Sequence, residues 1–298
     1  MEPENTTQPT RIVYDRSSRR IGSRRGAKMT VKIDDPGAAE ALESPLLAAA
    51  GFAHAFFTRR GGVSAPPWDT LSFAIALGDD PAAVRENLQR AARRLGIPAA
   101  RLYFLSQVHG VEARVLTGEE DRDDVVREVG DVTLSRVPGV GCGVRSADCA
   151  PILLADRRTG AVAAIHSGWR GTVRRVVVEA ARALRSLTGP GADLIAAIGP
   201  HIEACCFEVG DDVAADLAAC SSAGAAAVVR GAPGARPHVD VRRILKAQLT
   251  EAGLDATSVE DVPGCTACDP ARFFSYRRDG QRSGRLLSVI VAGRTVIG

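Results

Sequence analysis

Two apolar runs, Pro151–Ala155 and Ala161–Ile165, flank the polar stretch Arg157–Gly160. The pattern predicts a β-hairpin closed by a four-residue turn. If Asp156 pairs with Ala161, Pro151 pairs with His166. Cys149 then falls on the same face as His166, diagonally across the ladder. Residues in that relation sit roughly 7–8 Å apart, near enough to share one metal ion. A one-residue slip would put them on opposite faces. Downstream, Val173, Val176, Val177, Ala180, Leu184 and Leu187 recur at helical spacing. They predict one helix over Thr172–Leu187, stopped by Gly189-Pro190. Upstream, Asp80-Pro81 opens a helix with apolar positions at Val84, Leu88, Ala91 and Leu95, and Gly96 closes it.

The rest of the pattern is mixed. Ala38–Ala50 reads as a short helix interrupted by Pro45, leading into a strand at Ala53–Thr58. Strands are expected at Leu102–Val108, Val111–Leu116 and Leu194–Ile198, with Thr117–Glu128 an exposed loop or short helix. A second hairpin is expected from Asp131–Leu134 and Val140–Val144, turning at Val137-Pro138-Gly139. Val213–Ala219 and Val241–Ala252, capped by Asp240, read as helices, and Ser221–Pro237 reads as a surface loop. Strands near Ser258–Val262 and Leu286–Ala292 complete the chain. Hairpins mixed with separated helices predict an α+β fold: a single domain of mixed β-sheets flanked by helices.

Composition narrows the class. No run of 18 apolar residues occurs, so no membrane span and no membrane partner is expected. Only Lys28, Lys32 and Lys246 of the 38 basic residues are lysine, a skew that fits a GC-rich genome better than nucleic-acid binding. Residues 1–28 hold seven basic and three acidic residues, a net of +4 against +3 for the whole chain. That composition predicts a disordered basic tail, with residues 29–298 as one catalytic domain. The tail lacks the apolar core of a secretory signal. Seven cysteines, an odd number, fit a reduced, cytoplasmic setting rather than a disulfide framework. Cys265-x-x-Cys268 is a lone C-x-x-C; no second pair or nearby His completes a structural zinc site, so it is not expected to bind metal.

Candidate chemistry centres on the hairpin. Of the five histidines, His109 closes S-Q-V-H-G at the end of an apolar run and offers a third ligand. Two His and one Cys make a three-ligand zinc site with an open fourth position, the pattern of catalytic zinc. In Thr58-Arg59-Arg60-Gly61-Gly62, adjacent glycines allow close backbone approach and arginine can grip a phosphate or carboxylate. The expected helix start after Gly168-Trp169-Arg170-Gly171 would place free N–H groups beside His166, an anion site.

The stretches A-D-C-A-P-I-L-L-A-D (Ala147–Asp156) and A-A-I-H-S-G-W-R-G-T (Ala163–Thr172) resemble the core signature of the YfiH-type family. Its members go by laccase-domain protein, polyphenol oxidase, purine nucleoside phosphorylase and peptidoglycan editing factor. Further matching pieces appear in family order: F-F-T-R-R-G-G-V-S (Phe56–Ser64), Q-V-H-G (Gln107–Gly110), A-I-G-P-H-I (Ala197–Ile202), F-E-V-G (Phe207–Gly210) and F-F-S-Y-R-R-D-G (Phe273–Gly280).

The resemblance implies one zinc per chain on His109, Cys149 and His166. It implies phosphorolysis of adenosine, inosine, guanosine or methylthioadenosine, and deamination of adenosine, with nucleoside and phosphate as partners. Arg59 would stand near the metal pocket as a catalytic and phosphate-binding group. Gln107 and Arg170 belong to the matching motifs as substrate-binding positions. Asp148 would orient a ligand, move a proton or support the metal, and Cys149 is both ligand and catalytic residue. Many relatives have S-L-N-L-G where this chain has Thr70-Leu71-Ser72-Phe73-Ala74, so Ser72 would replace a substrate-facing Asn. Five histidines are too few for a multicopper oxidase, which needs a blue-copper centre and a trinuclear cluster. Copper would enter only as an adventitious replacement. The alternative is a cysteine or metal-dependent amide hydrolase acting on a cell-wall precursor, with Cys149 as nucleophile and His109 or His166 as base. A purely metal-stabilised binding protein would need a fourth protein ligand, for which the sequence offers no candidate. The sequence leaves the oligomeric state open.

Overall fold

The central hairpin forms in the expected register. In a computed structural model of the chain, describing residues 38–293 apart from 76 and 233, Pro151 lies opposite His166 and the Asp156 N–H donates to the Ala161 carbonyl at 2.8 Å. The basic segment 1–28 and the boundary at Met29 lie outside the described residues.

In chain order the strands are β1 (Ala41–Leu42), β2 (His54–Phe57), β3 (Leu102–Tyr103), β4 (Ala113–Val115), β5 (Val132–Ser135), β6 (Gly141–Ser146) and β7 (Ala150–Asp156). They continue with β8 (Val162–Ser167), β9 (Leu194–Ile198), β10 (Val228–Val229), β11 (His238–Val239), β12 (Val259–Asp261) and β13 (Leu286–Val291). The helices are α1 (Pro45–Ala49), α2 (Pro81–Leu95), α3 (Arg122–Val125), α4 (Trp169–Val173), α5 (Val176–Thr188), α6 (Asp211–Ala219), α7 (Val241–Glu251) and α8 (Tyr276–Asp279). Among the described residues, one sheet runs β1-β2-β13-β6-β3, a second runs β12-β9-β7-β8-β5-β4, and β10-β11 form a small ribbon. Both large sheets are mixed: β3–β6, β4–β5 and β9–β12 are parallel, the other pairs antiparallel.

Side-chain alternation explains the layering. On β7 and β8, Leu153, Ala155, Val162 and Ala164 meet Phe56, Cys142, Val144 and Ile290 of the other sheet in one core. The opposite face, with Ile152, Leu154, Ala163 and Ile165, packs on Val177, Ala180 and Leu184 of α5 and on Ile244 and Leu245 of α7. Val84, Leu88 and Ala91 of α2 cover the outer face of the first sheet at Phe57, Leu287 and Val289. The layers are therefore helix, sheet, sheet, helices: a mixed α+β fold as expected. No described helix is long and apolar enough to cross a membrane.

Four local expectations are corrected. Pro45 starts a helix rather than interrupting one, because Ser44 caps it by accepting the Leu47 N–H. The strands expected around His109 are short, and the histidine stands in a connecting segment. β5 and β6 do not form a hairpin. They enter different sheets, β5 beside β8 and β6 beside β13, and the Gly139 N–H is taken by Ala292 on the far side. Both strands are buried on each face, so turn residues alone did not dictate the partner. The expected helix Thr172–Leu187 is two helices, α4 and α5, broken at Arg175, which adopts a left-handed conformation (φ 61°). The Arg175 guanidinium is tied to the Cys220 carbonyl (2.9 Å) and Glu251 (2.7 Å), and Gln248 donates to the Thr172 carbonyl at 2.9 Å. Helix α4 is only five residues long, so the anion site expected at the start of one long helix is not formed.

Candidate metal centre and substrate pocket

The chain crosses between the two large sheets at one end of the molecule's core on two segments. After β3 it passes through His109 to β4; after β6 it passes through Asp148 and Cys149 to β7. His166 and Cys149 continue the rows of β8 and β7 that face the first sheet, as the register required. His109 Nε2 lies 3.6 Å from Cys149 Sγ, and the His109 and His166 rings meet edge to face at 5.0 Å. The donor atoms of His109, Cys149 and His166 lie within 4.8 Å of one another. A tetrahedral site of nitrogen and sulfur ligands has N···S edges of about 3.6 Å. The three residues therefore form a possible metal-binding group.

Asp131, at the start of the strand expected over Asp131–Leu134, organises this group. It is buried, and its Oδ1 accepts the His166 Nδ1–H at 2.7 Å. The same carboxylate accepts the N–H groups of Val108 (3.2 Å), His109 (3.0 Å) and Gly110 (2.7 Å). Those bonds hold His109 in its left-handed conformation (φ 61°). The bond to His166 fixes the tautomer and leaves the Nε2 lone pair for a cation, the usual support of a ligating histidine. Burial alone would push the Asp131 carboxyl up, but the bonds from His166 and Gly110 outweigh it and hold it below the ordinary range. Burial likewise opposes ionisation of Cys149, yet the His166 charge and the His109 contact bring the thiol down to about 6. His166 moves up to about 9, since the Cys149 thiolate and Asp131 overcome its burial. Cys149 thus offers a thiolate to a divalent cation, which would take the place of the proton on His166 Nε2. Asp131→Asn should keep the fold but weaken metal affinity by roughly 10- to 100-fold, the range for losing such a support. Metal competition against a chelator measures this, and unchanged affinity would remove Asp131 from the role.

The group opens into a pocket of about 580 Å³, within the ~300–1,000 Å³ range of small-molecule sites. Its rim is apolar, with Ile75, Leu77, Phe207 and Tyr276. Three arginines line it that the expected site residues did not include: Arg145 on β6, Arg277 on α8 and Arg285 before β13. Arg145 packs its guanidinium 4.6 Å over Phe104, and its Nε is buried with no hydrogen-bond partner. Burial and the neighbouring Arg285 charge bring Arg145 down to about 10; burial also lowers Arg285. Two mutually repelling cations in a pocket call for an anion. A charge in a strand otherwise buried on both faces was the available signal.

The other expected residues divide. Asp148 lines the pocket, in a left-handed conformation, with its carboxylate accepting from the Thr266 hydroxyl and the Arg277 N–H, both at 2.6 Å. Gln107 also lines it, but its amide is spent on the Arg145 backbone, accepting at 2.7 Å and donating at 2.6 Å. It splints the His109 segment to β6. Arg59 does not line the pocket. Its guanidinium donates to the Asp69 and Pro270 carbonyls and the Asp69 carboxylate, and lies 4.4 Å over Phe274. Ser72 is fully buried, and its hydroxyl accepts from the Ala74 and Arg285 N–H groups. It closes a turn rather than facing a substrate, although Ala74 itself lines the pocket. Arg170 is exposed outside the pocket, stacked 4.4 Å over Trp169. The lone C-x-x-C reading is corrected as well: Cys205 and Cys206 supply a second pair beside Cys265 and Cys268.

Residues 53–293 match the family model described as multi-copper polyphenol oxidoreductase laccase. The chain belongs to this family, known also as the YfiH family. A purine nucleoside phosphorylase of Pseudomonas aeruginosa is 40% identical over 78% of this chain and 90% of its own. One of Streptomyces coelicolor is 38% identical, covering 80% and 95% respectively. The crystal structure of YlmD from Geobacillus stearothermophilus superposes with a TM-score of 0.74 at 28% identity, covering 84% of this chain and 94% of that one. A YfiH protein of Bacillus licheniformis gives 0.79 at 24% identity over 88% and 98%, a likeness of fold.

The multi-copper part of the family description does not fit this chain's histidines. His54 is held between the Ser44 N–H and the Phe52 carbonyl, His201 on the Gly199 carbonyl and His238 on the Ala204 carbonyl. Only His109 and His166 belong to a group of converging donors among the described residues, so this YfiH-family chain cannot furnish a trinuclear copper cluster.

Proposed function

We propose that the chain is a zinc-dependent purine nucleoside enzyme whose main reaction is phosphorolysis, with adenosine deamination as a second reaction of the same pocket. The observation that carries the reading is the union in one pocket of the His109–Cys149–His166 group and the Arg145–Arg285 pair. The names of the curated relatives support it. A zinc ion held by the three ligands would act as a Lewis acid and lower the pKa of bound water, the chemistry that deamination needs.

The chain's own residues account for binding and orientation. Arg145 and Arg285 would hold the phosphate dianion, taking the role expected of Arg59. Phe207, Tyr276, Ile75 and Leu77 offer an apolar seat for the purine. In phosphorolysis a phosphate oxygen bonds to the anomeric carbon as the bond to the base nitrogen breaks, and the base leaves with a proton at nitrogen. Asp148, fixed by Thr266 and Arg277, retains acceptor capacity for a sugar hydroxyl.

Product analysis with inosine and adenosine, with and without phosphate, tests the reading. Sugar 1-phosphate and free base should form only with phosphate, and ammonia should form from adenosine alone. Phosphate-independent release of base would overturn it. Arg145→Ala should raise the KM for phosphate by roughly 10- to 100-fold, the loss of a charge-assisted bond of about 1.5–3 kcal/mol, with metal content unchanged. Arg59→Ala should leave that KM unaltered.

One observation favours a second reading. Cys149, His166 and Asp131 form a thiolate–imidazole–carboxylate chain of the kind that activates a nucleophile. An amide hydrolase built on it would keep full activity on an amide substrate after complete metal removal, and the nucleoside enzyme would not.

A further inference from the structure

The second cysteine cluster lies beyond the pocket wall. Cys205 and Cys206 follow β9, and Cys265 and Cys268 follow β12. These strands are parallel neighbours, so their carboxyl ends deliver both cysteine pairs to one place. Pairing continues past the strands: the His201 N–H donates to the Gly264 carbonyl and the Thr266 N–H to the His201 carbonyl, both at 3.1 Å. Cys205 Sγ lies 3.5 Å from the sulfurs of Cys265 and Cys268, and Cys206 Sγ lies 3.2 Å from that of Cys268. All four sulfurs fall within 4.8 Å of one another. A disulfide would need about 2.05 Å, whereas the sulfur–sulfur edge of a tetrahedral zinc tetrathiolate is about 3.8 Å.

We infer that Cys205, Cys206, Cys265 and Cys268 bind one zinc ion as a closed, four-thiolate structural site, separate from the His109–Cys149–His166 centre. Four sulfur ligands and no open position are the pattern of structural rather than catalytic zinc. On binding, the four thiols release their protons to solvent, leaving two negative charges on the site. Arg277 and Arg278 stand over it to offset them. Arg277 Nη1 donates to the Cys206 carbonyl at 3.0 Å; Arg278 Nη1 donates to the carbonyls of Thr266 (2.9 Å) and Ala267 (3.2 Å), between the two C-x-x-C cysteines. Cys205 and Cys268 are exposed, so metal can reach the site from solvent.

The zinc would clamp the segments that form one side of the pocket. Thr266, next to Cys265, holds Asp148; Phe207, next to Cys206, lines the pocket; Arg277 joins Cys206 to α8. The inference does not depend on the nucleoside reading.

Metal analysis of the full chain, expressed with zinc and freed of loosely bound metal, tests it. Wild type should carry two zinc ions per chain. The double variant Cys265→Ser with Cys268→Ser should carry one, and the double variant His109→Ala with Cys149→Ala should also carry one. Cobalt loading of the latter keeps the test independent of how the cysteine-cluster variant folds. Its spectrum should show intense tetrahedral bands and strong thiolate-to-metal charge transfer. A wild type with one zinc that is lost with Cys149, weak six-coordinate cobalt bands, or a disulfide among the four cysteines in the purified protein would overturn the inference.

Discussion

Cys149→Ala is expected to lose the metal of the pocket and, with it, at least roughly 10³-fold in kcat/KM for nucleoside cleavage and deamination. A catalytic metal contributes several kcal/mol of transition-state stabilisation, and each 1.36 kcal/mol is tenfold. The expectation follows from how few donors surround the site. His109 and His166 alone cannot hold zinc against a chelator, and the Asp131 carboxylate already accepts four hydrogen bonds. The fold should survive, because the Asp131 bonds to His166 and to the His109 segment do not involve the thiol. His166→Ala should behave alike for metal but also strand Asp131, leaving a buried carboxylate short of one partner. Its thermal midpoint should therefore fall further than that of Cys149→Ala. Metal content by elemental analysis, kinetics and thermal unfolding on both variants check this. Wild-type zinc retention in Cys149→Ala at the pocket site would end the assignment.

The hairpin was legible because everything needed lay within eighteen residues: two apolar runs, a polar turn and a period of two. Register then placed Cys149 and His166 on one face without further information. The α2 cap and its Gly96 terminus were equally local; Asp80 accepts the Ala82 N–H and Gly96 takes a φ of 70°. Failures came where a distant partner decides. Arg175 breaks the expected long helix because Glu251 and the Cys220 carbonyl, far along the chain, bind its guanidinium. β5 and β6 are apolar and close in sequence, yet they pair in different sheets. Asp131 gained its role from N–H groups on one crossover and a ring on another strand, a convergence with no local signature. Arg59 carried a glycine-flanked motif that suits phosphate, but Asp69 and Pro270 use its donors instead. The cysteine pairs were each visible, and only the parallel neighbours β9 and β12 bring them together.

Gly168 offers the sharpest test of the pocket geometry. Its backbone sits at φ −76° and ψ 170°, where alanine is at ease, so Gly168→Ala adds one methyl group without backbone strain. That Cβ would lie 2.1 Å from His109 Cδ2, 2.9 Å from its Nε2 and 3.2 Å from Cys149 Sγ. The His109 ring cannot simply retreat, because Asp131 pins its N–H and those of both neighbours. The ring must turn away or the crossover must shift, and either opens the ligand triangle. Metal affinity should fall by at least the roughly 10- to 100-fold seen when a ligand is misoriented, while overpacking costs stability only about 1–3 kcal/mol. Gly171→Ala is the control: its Cβ would meet nothing nearer than the Gly110 carbonyl oxygen at 3.4 Å, an ordinary contact. Circular dichroism should report both variants folded, with zinc lost from the pocket in Gly168→Ala and kept in Gly171→Ala. If Gly168→Ala binds pocket zinc as the wild type does, His109 is not held against Gly168 and the three-ligand centre must be redrawn.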